Sequence, residues 1–231
     1  MTQRLEDVAH WHPIEGTHMK KRVAVGSSIG AMIETYDFIG FGIAAALYFN
    51  KVFFPANDPR SGLLLSFATL GIGFAVRPLG GIIGGVLGDK IGRKPVLVGS
   101  LLLMGGATVL IGALPTYQQV GVWAGILLVI VRVIQGLAFG AEWGGAILMT
   151  YEHAPWRKRG QYTAIPQAGF PVGLLLANTA FLLSGLVGGD WSWRIPFLLS
   201  AVLILIGLMI RMKIDESPEF EELKDLGEVS K

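Results

Sequence analysis

Apolar residues run along this chain in six long blocks rather than alternating with polar ones, and charge, proline and glycine collect between the blocks. A helix rises ~1.5 Å per residue and the hydrocarbon core of a bilayer is ~30 Å thick, so apolar runs of ~20 residues predict membrane-spanning helices. The predicted spans are Val23–Tyr48, Leu63–Leu87, Val96–Leu114, Gly121–Thr150, Tyr162–Val187 and Trp193–Met212. Residues 1–22 form a polar amino-terminal tail, 23–213 an all-α integral membrane bundle, and 214–231 a charged tail. The tail before the first span has no apolar core followed by a small-residue cleavage site, so no cleaved signal peptide is expected and the first span itself directs insertion.

The polar connections are not alike. Arg4, Lys20, Lys21 and Arg22 precede the first span, Lys90, Arg93 and Lys94 follow the second, Arg157, Lys158 and Arg159 follow the fourth, and Arg211 and Lys213 follow the sixth. The alternate connections carry Lys51 and Arg60, then no base, then Arg194. The positive-inside rule therefore places both termini and the base-rich loops in the cytoplasm. Trp123, Trp191 and Trp193 fall at the opposite ends of their spans, where interfacial tryptophans belong.

Composition agrees with a membrane protein: 52% of the 231 residues are hydrophobic and 16% are charged, with a mean hydropathy of +0.55. A formal net charge of +2 offers no basic surface for nucleic acid. Cysteine is absent, which removes disulfides, thiolate nucleophiles and cysteine metal sites. No cofactor is implied. Gly26–Gly30, "GSSIG", matches the G-x-S-x-G pattern of serine hydrolases, yet His10, His12, His18 and His153 all lie outside the spans and Ser28 has no base at its depth. A catalytic site is therefore not expected, nor a metal site, since only Glu34 and Asp37 have ligand spacing.

Charge inside the spans carries the candidate chemistry. Glu34, Asp37, Arg77, Arg132 and Glu142 each cost ~2.5–3.5 kcal/mol to insert, and such residues face a bundle interior or a water-filled cavity. Counted from the base-rich ends, they lie about 12–27 Å deep. Glu34 and Asp37 are three apart and share a helix face. On the fourth span Gln135 and Glu142 share a face and Arg132 lies one turn from Gln135, so one helix is expected to offer a base, an amide and an acid to a cavity. A buried carboxylate beside a movable arginine can load and release a proton, although the same three acids and two bases are also what static ion pairs offsetting burial would require. Gly80, Gly84 and Gly88, like Gly136, Gly140 and Gly144, recur every four residues and predict close helix packing. Pro166, Gly169, Pro171 and Gly173 surround Gln167, so the fifth span is expected to kink, with freed carbonyls available to a cavity.

The hairpin after the second span reads "GVLGDKIGRKP", with Gly85, Asp89, Lys90, Gly92, Arg93 and Lys94 in the pattern G-x-x-x-D-K-x-G-R-K. Asp89 can pair with Arg93 or meet the helix terminus of a neighbour. The pattern resembles the signature loop of the major facilitator superfamily, a resemblance that implies a conformational latch. "ETYDF", "FFP", "RPLGG", "QGLAFGAEWGGA" and "ESPEF" narrow the likeness to the metabolite:proton symporter family within it. That resemblance implies a multi-pass protein of a bacterial inner (plasma) membrane that moves a small organic acid or zwitterion with protons. It also implies a central cavity lined by the first and fourth helices, twelve spans in two halves, and a carboxy-terminal tail that begins a cytoplasmic linker. Six spans match an amino-terminal half whose partner is a second six-helix half; a half that must dimerise, a passive channel and a non-functional fragment are the alternatives.

Overall fold

The computed structural model describes residues 21–55, 58–152, 159–213, 216 and 220. The tail with Arg4 and Lys20, the loop with Arg157 and Lys158, the four histidines and most of the charged carboxy-terminal segment lie outside these residues. Six helices among the described residues are long and apolar enough to cross a membrane. They match the six apolar runs of the sequence, and no strand occurs among the described residues.

Local chemistry explains where the spans begin and bend. The second starts at Pro59 because the Asp58 carboxylate accepts from the backbone of Arg60 and Ser61 at 3.2 and 3.3 Å, and proline fits the first helical position. It runs to Ala75, breaks at Val76 and resumes over Arg77–Ile91. Pro78 causes the break: it has no N–H for the carbonyl of Phe74, and its ring crowds the preceding turn. The first span ends in a π-helical turn, Ala45–Phe49, after the α-helix Lys21–Ala44. The fifth is kinked as its prolines predict, passing from Arg159–Thr163 through a 3-10 turn at Ile165–Ala168 into Gly169–Gly185. The third, Arg93–Ala113, and the fourth, Trp123–Glu152, are continuous. The sixth, Trp191–Arg211, contains Pro196, whose missing N–H leaves the carbonyl of Ser192 without its helical donor. The Ser184 hydroxyl of the fifth span donates to that oxygen at 2.7 Å, and Tyr36 of the first donates to the carbonyl of Pro196 at 2.6 Å.

The fourth span packs against the second and third, the sixth against the third and first, and the fifth against the first. Near the end opposite the basic hairpin the core is aromatic: Phe41, Phe49, Phe53, Phe181, Trp193 and Phe197. Phe49 meets Phe53 edge to face at 5.1 Å, and Phe53 meets Trp193 the same way at 5.4 Å, as ring quadrupoles favour. Trp193 thus departs from the interfacial role expected of it. It is 1% exposed, whereas Trp123 and Trp191 are 65% and 57% exposed. The π-helical turn of the first span brings Phe49 and Phe53 over the sixth helix and covers it. Arg194 beside it donates to the carbonyls of Gly112 and Leu114, at 2.7 and 2.9 Å, and satisfies the open end of the third helix.

Four glycines let the second and fourth spans touch backbone to backbone. A Cβ on Gly84 would lie 2.5 Å from Cα of Ala141, and one on Gly80, Gly136 or Gly140 would collide with the carbonyl of Leu137, Gly73 or Arg77. Two members of the predicted pattern differ. Gly88 makes room for the Arg93 side chain, and Gly144 faces open space. Gly140→Val is therefore expected to remove most folded protein from the membrane, while Gly144→Val leaves its abundance unchanged. Equal abundance of both variants, measured on membranes from cells expressing each, would show that the contact is dispensable.

Candidate functional site

The break at Val76 aims Arg77 sideways into a cavity of about 610 Å³. First, second, fourth and fifth spans all contribute to its walls. Glu34, Thr35 and Arg77 supply its polarity, and Phe38, Phe74, Phe139, Trp143 and Phe170 the rest. The Arg77 guanidinium carbon sits 3.4 Å from the ring centre of Phe139 and 4.0 Å from that of Phe74. Stacking between two rings stabilises the cation while leaving the edge of its planar fork free. Among the described residues neither Arg77 nor Glu34 makes a hydrogen bond or an ion pair. The site thus offers an unengaged carboxyl and an unengaged guanidinium on an aromatic wall.

A second polar group lies deeper, wholly inside the bundle. Asp37 Oδ1 accepts from the Thr108 hydroxyl at 2.5 Å and from Gln135 Nε2 at 3.0 Å. Arg132 Nη1 donates to Gln135 Oε1 at 2.9 Å and approaches Asp37 Oδ2 at 3.5 Å. Its guanidinium rests 4.0 Å from the centre of the Phe41 ring. Asp37, Thr108, Arg132 and Gln135 are each at most 6% exposed. They join the first, third and fourth spans. Arg132 is held mainly by the amide and the ring, so the long Asp37 contact can be made and broken without stranding the cation.

The fourth helix therefore does not present Arg132, Gln135 and Glu142 to one cavity, as its spacing led us to expect. Arg132 and Gln135 are not among the side chains lining the large cavity, because the third and first spans cover that face. Glu142 turns to the sixth span, where Oε1 accepts from Arg211 Nη2 at 2.5 Å. Arg211 also donates to the carbonyl of Leu97 at 2.8 Å and is only 4% exposed. It is thus an interior partner, a role beyond its place among the bases after the sixth span. Glu142 and Glu34 meet Gln167 and Ser27 around a separate cavity of about 20 Å³.

At the basic end, Asp89 pairs with Arg93 at 2.8 Å, one helical turn away, the first of the two arrangements its spacing allowed. Gly92, at φ 99°, makes the reversal between the second and third spans, a backbone conformation that favours glycine. Glu216 then closes the hairpin. Its carboxylate accepts from the backbone of Arg93 at 2.9 Å and of Lys94 at 3.1 Å, satisfying open donors at the start of the third helix. Lys90 points outward and is exposed.

A family model for "Sugar (and other) transporter" matches residues 23–228. The chain belongs to this family. It is 48% identical over 218 residues to the shikimate transporter of Escherichia coli strain K12, covering 91% of this chain and 50% of that one. A putative metabolite transport protein of Haemophilus influenzae is 49% identical over 211 residues, covering 89% and 48%, and the proline/betaine transporter of Escherichia coli strain K12 is 38% identical over 210 residues, covering 89% and 42%. The chain spans about half the length of the curated relatives it matches. The fold matches that of the xylose transporter XylE from E. coli in a partially occluded inward-open conformation, with a TM-score of 0.76 and 19% identity over 91% of this chain and 53% of XylE. The six spans are those of an integral multi-pass membrane protein of this transporter family.

For a member of the sugar transporter family, the hydrolase pattern at Ser28 has a structural use. Its hydroxyl donates to the carbonyl of Ile165 at 3.0 Å and ties the first span to the 3-10 turn of the fifth. Sequence reasoning gave no site role to Thr108, Phe139, Arg211 and Glu216. Thr108 and Phe139 look like ordinary apolar-span residues, and only the packing of helices distant in sequence reveals their partners. Glu216 had a signal, since "ESPEF" belonged to the resemblance, but its partners lie more than 120 positions away.

Proposed function

We propose that this chain forms the amino-terminal half of a proton-coupled carrier for a small organic acid or zwitterion in a bacterial inner membrane. The observation that carries the reading is the 610 Å³ cavity, with the free fork of Arg77 and the Glu34 carboxyl on an aromatic wall. A guanidinium fork suits a carboxylate, the aromatic faces suit an apolar ring or a methylated cation, and an acid nearby suits the positive end of a zwitterion. Relatives named for shikimate and for proline and betaine span this range of ligands. A second six-helix half closes the open face of the cavity, and alternating access rocks one half against the other. The Asp37 and Arg132 cluster links three spans and supplies an acid whose charge alters their packing. The hairpin from Gly85 to Lys94 acts as the latch, with Asp89, Arg93 and Glu216 holding one conformation. The basic end, with Lys90, Arg93 and Lys94, faces the cytoplasm.

Uptake into liposomes carrying the purified full-length transporter tests the proposal. An inward proton gradient is expected to drive accumulation of shikimate or glycine betaine, and a protonophore to abolish it. Gradient-driven accumulation of xylose, with neither acid nor zwitterion taken up, would overturn the substrate class. Equilibration without accumulation would overturn proton coupling.

A further inference from the structure

Three acids are buried within the spans among the described residues, and they are not held alike. Asp37 is hydrogen-bonded and faces Arg132, and Glu142 faces Arg211, but Glu34 has no such partner. Glu34 borders both cavities: the large one with Arg77, and the small one with Glu142. The small cavity measures about 20 Å³, enough for one water molecule, which needs ~10–15 Å³ and two to four polar partners. Ser27, Glu34, Glu142 and Gln167 supply them. One oxygen is already waiting for a donor: Glu142 Oε2 is buried, in a side chain 2% exposed, and has no hydrogen-bond partner. Arg211 occupies only Oε1. A buried carboxylate oxygen with no donor is costly unless a proton or a water reaches it.

We propose that Glu34 and Glu142 share one proton through a single water in this small cavity, forming a proton site separate from the Asp37 cluster. The carboxylic acid of Glu34 donates to the water, and the water donates to Glu142 Oε2. Transfer along this line moves one proton and one charge between the two acids and needs no other reactant. The charged groups that act on Glu34 are Glu142 of the fourth span, Arg77 of the second, Arg211 of the sixth and Asp37 of its own helix. The fifth span contributes only the neutral Gln167 to the small cavity. Two carboxyls thus face one directly bonded cation, Arg211, and a shared proton balances the set.

Placement gives this proton a purpose, which rests on the transport reading above. Asp37, Glu34 and Glu142 stand against Arg77, Arg132 and Arg211, so the interior is neutral when every group is charged. A proton on Glu34 leaves Arg77 as a surplus cation on the wall of the large cavity, the condition for receiving an anionic carboxylate. Removal of that proton restores a negative charge beside Arg77 and weakens its hold on the anion. Proton and anion would then enter and leave together.

Infrared difference spectroscopy of the purified full-length protein at pH 7, without substrate, tests the shared proton independently of transport. The parent minus Glu34→Gln spectrum is expected to contain a protonated-carboxyl band. Glu142→Asp, which keeps a charge for Arg211 but lengthens the path to the water, is expected to shift that band in frequency. Glu142→Gln, if it inserts, is expected to abolish it. No band in the Glu34→Gln difference, or a band that Glu142→Asp leaves unmoved, would overturn the proposal. Transport can fail while the band behaves as described, and then only its purpose falls.

Discussion

Asp37→Asn in the complete carrier is expected to abolish pH-driven accumulation while preserving substrate exchange and membrane abundance. The amide oxygen still accepts from Thr108 and Gln135, so those two donors keep a partner whose loss would cost about 1–3 kcal/mol each. What disappears is the 3.5 Å contact with Arg132, the longest in the group. Arg132 keeps Gln135 Oε1 at 2.9 Å and the face of Phe41. An asparagine therefore imitates the protonated acid, permanently, and a carrier that cannot lose its proton can exchange substrate but cannot harvest a gradient. Arg132→Gln is expected to differ: it leaves the Asp37 carboxylate without its cation inside the bundle, and abundance should fall. Combining both substitutions should restore abundance without restoring accumulation. Uptake with and without a proton gradient, beside membrane abundance, separates these outcomes. Full accumulation by an abundant Asp37→Asn protein would remove Asp37 from the coupling mechanism and leave Glu34 and Glu142 as the coupling acids.

The spans were legible because insertion demands a continuous apolar run, and that demand is written one residue at a time. Interior and lipid-facing positions were not, since both are apolar. Trp193 shows why: hydropathy places it at a span end, but the π-helical turn at Ala45–Phe49 decides that it is covered by Phe49 and Phe53. The pairing of Arg211 was hidden for a related reason. A base at the last turn of a span is usually an anchor, and only the approach of the fourth helix, with Glu142, turns it into an interior ion pair. Asp37, Glu34 and Arg77 were found because a charge in a span is expensive wherever it points. That Arg77 borders the large cavity depended on the break at Val76, for which Pro78 was a signal that the sequence reading did not use. The Asp89 and Arg93 pair was readable from its spacing of four, whereas the part played by Glu216 needed the chain to return from the far side of the bundle.

The largest loss of stability is expected from Glu142→Gln, and it should exceed that from Arg211→Gln. Both break a buried ion pair, which typically costs ~3–5 kcal/mol when one partner is removed. The residues left behind differ. A stranded Glu142 can take up a proton and become neutral, whereas a stranded guanidinium stays charged in any protein environment. Arg211 would keep one bond, to the carbonyl of Leu97, so its cost is reduced but not removed. The Glu142→Gln and Arg211→Gln double variant removes both charges and is expected to regain abundance and detergent-phase thermal stability close to the parent, while each single variant loses both. Single variants as stable as the parent would mean that the pair contributes no net stability. The sixth span would then be held by apolar packing such as Ile204 against Gly105 of the third span, where a Cβ on Gly105 would lie 2.5 Å from the Ile204 side chain.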